Sequence, residues 1–190
     1  MILFINACVR SDSRTLRLAK RLLAGREDEI LEVRPGELEL PRVDEAFLRR
    51  RDALLAEHRE DEPVFRLARD FAAAGEIVVA APYWDLSFPS CLKAYLEQIT
   101  VTGITFSYGE DGRPVSHCRA KRLSYVMTAG GPILPPNHGY AYVRDLAGTF
   151  FGIADTPLFS AELLDVVGMD VEAILGEAER KIDEWKQQAD

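Results

Sequence analysis

Three short apolar runs constrain this chain more than any other feature. Met1–Asn6, Glu76–Pro82 and Leu123–Met127 are nearly continuous in apolar residues and show no alternation of period two. A strand with one wet face alternates, whereas a strand covered on both faces does not. Each run therefore predicts a strand buried between two layers, and parallel strands placed this way need crossover helices between them. Helical patterns stand where the crossovers are required. After the first run, Leu16, Leu18, Ala19, Leu22 and Leu23 fall largely on one face, with Arg17, Lys20 and Arg21 turned to solvent and Gly25 as a stop.

The same alternation continues along the chain. Glu29–Arg34 predicts a second strand, more polar and so nearer a sheet edge. Charged helices follow over Asp44–His58 and Pro63–Ala74. Another helix starts near Pro89, a residue suited to a first turn, with Leu92, Tyr95, Leu96 and Ile99 as its core face. Ile104–Val115 alternates in part and holds Asp111-Gly112, which predicts a β-hairpin. A helix over Tyr140–Phe151, a fifth strand near Thr156–Ser160 and a last helix over Asp170–Gln187 complete the order. The expected fold is α/β: a doubly wound, five-stranded parallel sheet with helices on both faces and a hairpin excursion. No linker, repeat or low-complexity tract divides the 190 residues, so 1–190 reads as one domain.

Charge and cysteine usage narrow the function classes. Lys+Arg total 23 against Asp+Glu 31, a net charge of -8 that argues against a nucleic-acid partner. The longest apolar runs, such as Ile77–Pro82, are too short to span a bilayer, and Met1–Ile5 lacks the basic flank and cleavage site of a secretory signal. Cys8, Cys91 and Cys118 are odd in number, widely spaced and in no metal-ligand pattern, which suits a reducing compartment. The expectation is a soluble cytoplasmic protein with no membrane partner and no metal site.

In open α/β sheets, ligands bind outside the carboxyl ends of the strands. Three loops stand there. Asn6–Thr15 concentrates hydroxyls and guanidiniums where the first helix presents free N–H groups, the chemistry of a phosphate site. It is neither a Walker A loop nor a G-x-G-x-x-G fingerprint, and Ser11 or Ser13 would serve equally as a helix N-cap beside solvated arginines. Ala81–Pro89 sets Tyr83 and Trp84 together between Pro82 and Pro89, where they can either lie against a planar heteroaromatic ring or cap the core. Thr128-Ala129-Gly130-Gly131-Pro132 permits close backbone approach to a ligand, or simply turns the chain. Phosphate end, ring site and close-approach backbone together form a recognition set for flavin mononucleotide (FMN).

With these residues in view, the chain resembles the flavodoxin-like NAD(P)H:quinone oxidoreductases, and among them the bacterial FMN-dependent NADH-azoreductases. The resemblance is carried by Asn6–Thr15, by Ala81–Pro89 with the following Leu92-Lys93-Ala94-Tyr95-Leu96, by Gly103–Tyr108 and by Thr128–Gly131, in order to about Ala161. It implies that Arg10, Ser13, Arg14 and Thr15 hold the FMN phosphate. It implies further that Pro82, Tyr83, Trp84, Asp85 and Leu86 line the isoalloxazine ring, and that Thr128, Ala129, Gly130 and Gly131 touch its pyrimidine end. Arg10 stands where the azoreductases usually carry serine, and Asp85 where they usually carry asparagine. The implied activity is two-electron, ping-pong reduction of a quinone or azo acceptor by NADH or NADPH, in a homodimer with the flavin near the subunit boundary. The alternative is a non-enzymatic electron carrier or flavin-binding interaction protein. The hairpin and the long loop after the fourth strand argue for the enzyme, since they resemble walls of a substrate site.

Other residues allow two readings each. His138 and Tyr140 follow the Gly-Gly loop, where a proton donor to substrate could stand, although a surface-loop histidine fits the same pattern. Cys8 lies close to arginines, which would lower a thiol pKa, or else packs as a small residue under the loop. The aromatic loop and the segment Ile104–Tyr108 put more apolar surface on one rim than a free edge should carry, as interfaces do.

Overall fold

The computed structural model describes residues 1–189. Its elements run β1 (Ile2–Asn6), α1 (Arg14–Leu23), β2 (Ile30–Val33), α2 (Glu45–Ala56), α3 (Arg66–Ala73), β3 (Glu76–Ala80), α4 (Ser90–Ile99), β4 (Phe106–Tyr108), β5 (Pro114–Ser116), β6 (Leu123–Thr128), α5 (His138–Phe150), β7 (Leu158–Ala161) and α6 (Val171–Ala189). Five strands form a parallel sheet in the order β2-β1-β3-β6-β7. The three runs that predict buried strands are its three central members. β4 and β5 pair separately as an antiparallel hairpin.

Each central strand sends alternate side chains into two cores. Leu3, Ile5, Ile77, Val79 and Tyr125 pack with Phe71 of α3, Leu92 and Tyr95 of α4 and Val143 of α5. On the opposite face, Ile2, Phe4, Val78 and Val126 pack with Leu18 and Leu22 of α1 and with Leu175 and Ile182 of α6. Burial on both faces is why these strands carry no polar alternation. The edge strand β2 is exposed at Ile30 and Glu32 on one face and half-buried at Leu31 on the other, and its sequence is correspondingly mixed.

Differences from the sequence expectation are local. Pro89 caps α4 from outside, in extended conformation, instead of opening its first turn. The helix expected from Pro63 begins as a 3-10 turn over Pro63–Phe65 before α3. The last strand sits a little later than expected. Within the hairpin, Phe106 is buried and lies 4.8 Å from Phe150 between ring centroids, and Ile104 is buried as well. The expected apolar rim therefore reduces here to Tyr108, which is exposed. No helix among the described residues is long and apolar enough to cross a membrane.

Candidate functional site

β1 runs first to the edge strand β2 and then returns past β1 to β3, so the loops after β1 and β3 part from neighbouring strands. Their ends are level: Asn6 pairs in register with Ala80, and one strand further on Thr128 pairs with Ala161. The first loop leaves β1 in a fixed direction. The Asn6 amide donates to Glu32 Oε1 at 2.8 Å, and its oxygen accepts from the Cys8 backbone at 3.1 Å. Ser13 then caps α1, its Oγ accepting from the Leu16 amide at 3.3 Å. A helix leaves its first N–H groups without internal acceptors. With Leu16 served by the cap, the amides of Arg14 and Thr15 remain for a ligand. The cap and phosphate readings of this loop are thus compatible, because Ser13 supplies the first and leaves donors for the second. Cys8 behaves as a packed residue: burial pushes its thiol up to about 11, which outweighs the charge of Arg34.

The second loop is a tight turn. Trp84 and Ser87 exchange backbone hydrogen bonds of 3.1 and 2.7 Å around Asp85 and Leu86, whose φ values are 50° and 64°. Two positive φ values in a two-residue turn define the I′ geometry that Asn-Gly favours. A leucine there is strained, at roughly 1–2 kcal/mol for the left-handed conformation. Tyr83 is tied back to β6 through its amide and the Thr128 carbonyl at 2.9 Å. Its hydroxyl is buried and has no hydrogen-bond partner among the described residues.

The third loop is held by a fourth that the sequence reading passed over. Backbone hydrogen bonds from Leu163 to Gly131, Leu164 to Ala129 and Asp165 to Gly130 (3.1, 3.2 and 2.9 Å) zip the segment after β7 onto the segment after β6. Neither Gly130 nor Gly131 has positive φ. What Gly130 requires is space: a Cβ there would stand 2.2 Å from Asp165 Oδ2, whereas one on Gly131 would meet nothing within 4 Å. Asp165 Oδ1 in turn accepts from Arg14 Nη1 at 2.7 Å.

These loops surround one cavity of about 520 Å³, within the ~300–1,000 Å³ span of small-molecule sites. Arg10, Ser13, Arg14, Thr15, Pro82, Tyr83, Trp84, Asp85, Thr128, Ala129 and Gly130 line it, out of the residues expected from sequence. Leu86 and Gly131 belong to the same loops but do not line the cavity. Val9, Asp12, Leu164 and Asp165 line it and were not expected. Val9 and Asp12 lie inside a loop already singled out, and Leu164 and Asp165 follow a strand end to which the same topological rule applies. The two suggested proton donors lie elsewhere. Tyr140 donates its hydroxyl to the Thr156 carbonyl at 2.6 Å, and its ring lies tilted against Tyr125, 5.8 Å between centroids. His138 lines a separate hollow with Phe88, Lys93, Tyr142 and Asp145. Neither faces the cavity because α5 begins at His138, after the loop has already left the sheet edge.

A parallel sheet in this order, with a polar cavity over its switch point, defines the flavodoxin-like class of mononucleotide-binding folds. The chain belongs to the flavodoxin-like fold family Flavodoxin_2, which matches residues 1–185. Among its relatives, the FMN-dependent NADH:quinone oxidoreductase of Coprothermobacter proteolyticus is 33% identical over 204 aligned positions, covering 98% of each chain. The protein of the same name from Clostridium beijerinckii is 35% identical over 201 positions, covering 99% of this chain and 97% of its own. The fold is also that of an azoreductase from Bacillus anthracis (TM-score 0.83, 22% identity, 96% of each chain). It is likewise that of an FMN-dependent NADH-azoreductase from Bacillus anthracis in complex with FMN (TM-score 0.81, 20% identity, 99% and 98% covered).

Proposed function

We propose that the protein is an FMN-dependent NAD(P)H oxidoreductase that reduces quinones and azo compounds, and that residues 1–190 act as one cytoplasmic FMN-binding domain in a homodimer. The observation that carries this reading is the convergence on one cavity of three chemically distinct loops. One offers amides and guanidiniums, one offers two adjacent aromatics, and one offers bare backbone. The names borne by relatives of matching length agree with it.

The residues present fit the cofactor. The α1 amides of Arg14 and Thr15, the Ser13 hydroxyl and the Arg10 and Arg14 side chains suit a phosphate, which favours FMN over FAD because no room for adenosine is then needed. Tyr83 and Trp84 supply flat apolar surface. When bound, FMN supplies the hydride chemistry between a nicotinamide and an acceptor. The chain's own task is to bind, orient and shield. Trp84 and Asp85 occupy one wall, leaving a shared opening that donor and acceptor would use in turn. No side-chain nucleophile is needed. Asp85 brings a carboxylate to a wall that would lie near a ring gaining negative charge.

The deciding experiment is a visible absorption spectrum of the purified protein with FMN. Flavin bands that bleach with NADH and return with a quinone support the proposal. Failure to bind flavin, or bound flavin inert to both NADH and NADPH, overturns it. Double-reciprocal plots at several acceptor concentrations are expected to be parallel; intersecting lines would reject the shared opening and leave the cofactor assignment in place.

A further inference from the structure

Arg14 is gripped by one of its three guanidinium nitrogens. Nη1 donates to Asp165 Oδ1 at 2.7 Å and to the Leu164 carbonyl at 3.1 Å. A guanidinium is planar and has three further N–H donors on Nε and Nη2. Two acceptors on a single nitrogen fix the direction of that plane. The backbone that carries this carboxylate is held, since the Asp165 amide is bonded to the Gly130 carbonyl at 2.9 Å, and the exposed carboxylate lies over Gly130, its Oδ2 2.2 Å from where a Cβ would stand. A chain of contacts thus runs from the β6 loop through Asp165 to the first residue of α1. All three residues line the same cavity.

We propose that Asp165 is a positioning residue that aims the free edge of Arg14 at a terminal phosphate, and so sets the preference of the site for phosphorylated over unphosphorylated flavin. The inference rests on the FMN reading above. A side chain at position 130 would displace the carboxylate that holds Arg14, and the bare backbone of Gly130 leaves it in place.

The sign of one substitution separates this role from plain electrostatics. Asp165 brings a negative charge near an anion site, so if it acted only through charge, its removal would tighten FMN binding. If it positions Arg14, removal releases a long side chain whose ordering must then be supplied on binding, and FMN affinity falls. The experiment is a fluorescence titration of FMN and, separately, riboflavin into apoprotein for wild type, Asp165→Ala, Asp165→Asn, Arg14→Ala and the Asp165→Ala/Arg14→Ala double variant. Wild type is expected to prefer FMN. Asp165→Ala should weaken FMN roughly fivefold or more, about 1 kcal/mol, and leave riboflavin unchanged. Asp165→Asn, which keeps an oxygen acceptor over Gly130, should fall between, and it decides the matter if Asp165→Ala does not fold. In the Arg14→Ala background, loss of Asp165 should cost FMN nothing more. Unchanged or tighter FMN binding in both Asp165 variants overturns the assignment. So does an equal loss of riboflavin, or an equal loss without Arg14. A wild type with no preference for FMN would overturn the cofactor reading itself, and is recognised before any variant is compared.

Discussion

The hydroxyls of Thr15 and Thr128 lie 2.7 Å apart, both buried, and join the first turn of α1 to the carboxyl end of β6. The two residues are 113 positions apart, and both line the cavity. The bond is part of its floor. A buried hydroxyl left without its partner costs about 1–3 kcal/mol, whereas replacing both partners by apolar groups of similar shape can be nearly neutral. Thr15→Val and Thr128→Val are each expected to lower unfolding free energy by that amount in urea titrations. The double variant should recover most of the loss. Strictly additive losses would show that the two hydroxyls do not depend on one another.

Cys8 makes stability depend on alkaline pH. Burial raises its thiol from 9.0 to about 11 in the folded chain. Between those values the unfolded state gives up a proton that the native state keeps, so stability is intact below pH 9 and declines as pH rises toward 11. At ~1.4 kcal/mol per pKa unit, the loss is on the order of 2–3 kcal/mol. Burial raises Cys118 to about 11 as well, so Cys8→Ala is expected to remove its own share of this decline and leave that of Cys118, measured by denaturant unfolding at stepped pH. Alkylation of native Cys8 should stay slow at pH 8. Rapid alkylation there would mean that the thiol is neither packed nor raised.

The Asp85-Leu86 turn predicts opposite responses to two substitutions at one site. Leu86 has φ of 64° and an exposed side chain, so little packing is lost when it is shortened. Leu86→Gly is expected to leave melting temperature unchanged or raise it slightly, as strain relief of roughly 1 kcal/mol offsets the entropy of glycine. Leu86→Val, β-branched, should lower it. Asp85→Asn keeps a residue that tolerates this conformation and removes the carboxylate. The midpoint potential of bound flavin should rise by tens of millivolts, with ~30 mV matching ~1.4 kcal/mol for two electrons. An unshifted potential would place Asp85 too far from the ring to act on it.

Tyr108 is the exposed aromatic of the hairpin, and Trp84 and Leu86 are exposed at the turn beside the cavity. Tyr and Trp are enriched at interfaces relative to the rest of a protein surface. Light scattering is expected to give twice the chain mass. Tyr108→Glu should shift it toward the monomer and weaken flavin retention. The buried Phe106 is unsuited to this test, since a charge there would break its packing on Phe150 and unfold the hairpin. A monomeric wild type that retains FMN at micromolar concentration would reject the dimer.

Legibility followed burial. β1, β3 and β6 could be placed within a residue or two because strands covered on both faces leave a continuous apolar mark. The ends of β7 were harder to read, since Leu158 and Ser160 of its four residues are exposed. The three loops that carry hydroxyls, aromatics or paired glycines announced themselves by composition. Glu162-Leu163-Leu164-Asp165 has no such signature, so its place beside the cavity emerges only from its hydrogen bonds to Gly130 and its neighbours. Likewise, nothing local in the sequence distinguishes Arg14, which meets Asp165 151 positions away, from Arg10. Nor does composition show that Phe106 turns inward while Tyr108 turns out.

The strand order has a consequence for how the site comes into being. β1 is flanked by β2 and β3, and the cavity is finished only when the segment after β7 closes on the β6 loop. Its walls are therefore joined almost wholly through contacts distant along the chain, the kind that form slowly. No early fragment, however well its first two strands pair, owns a complete binding surface. A ligand taken up by this cavity ratifies an assembly already made, and protects the whole sheet at once instead of any one part of it.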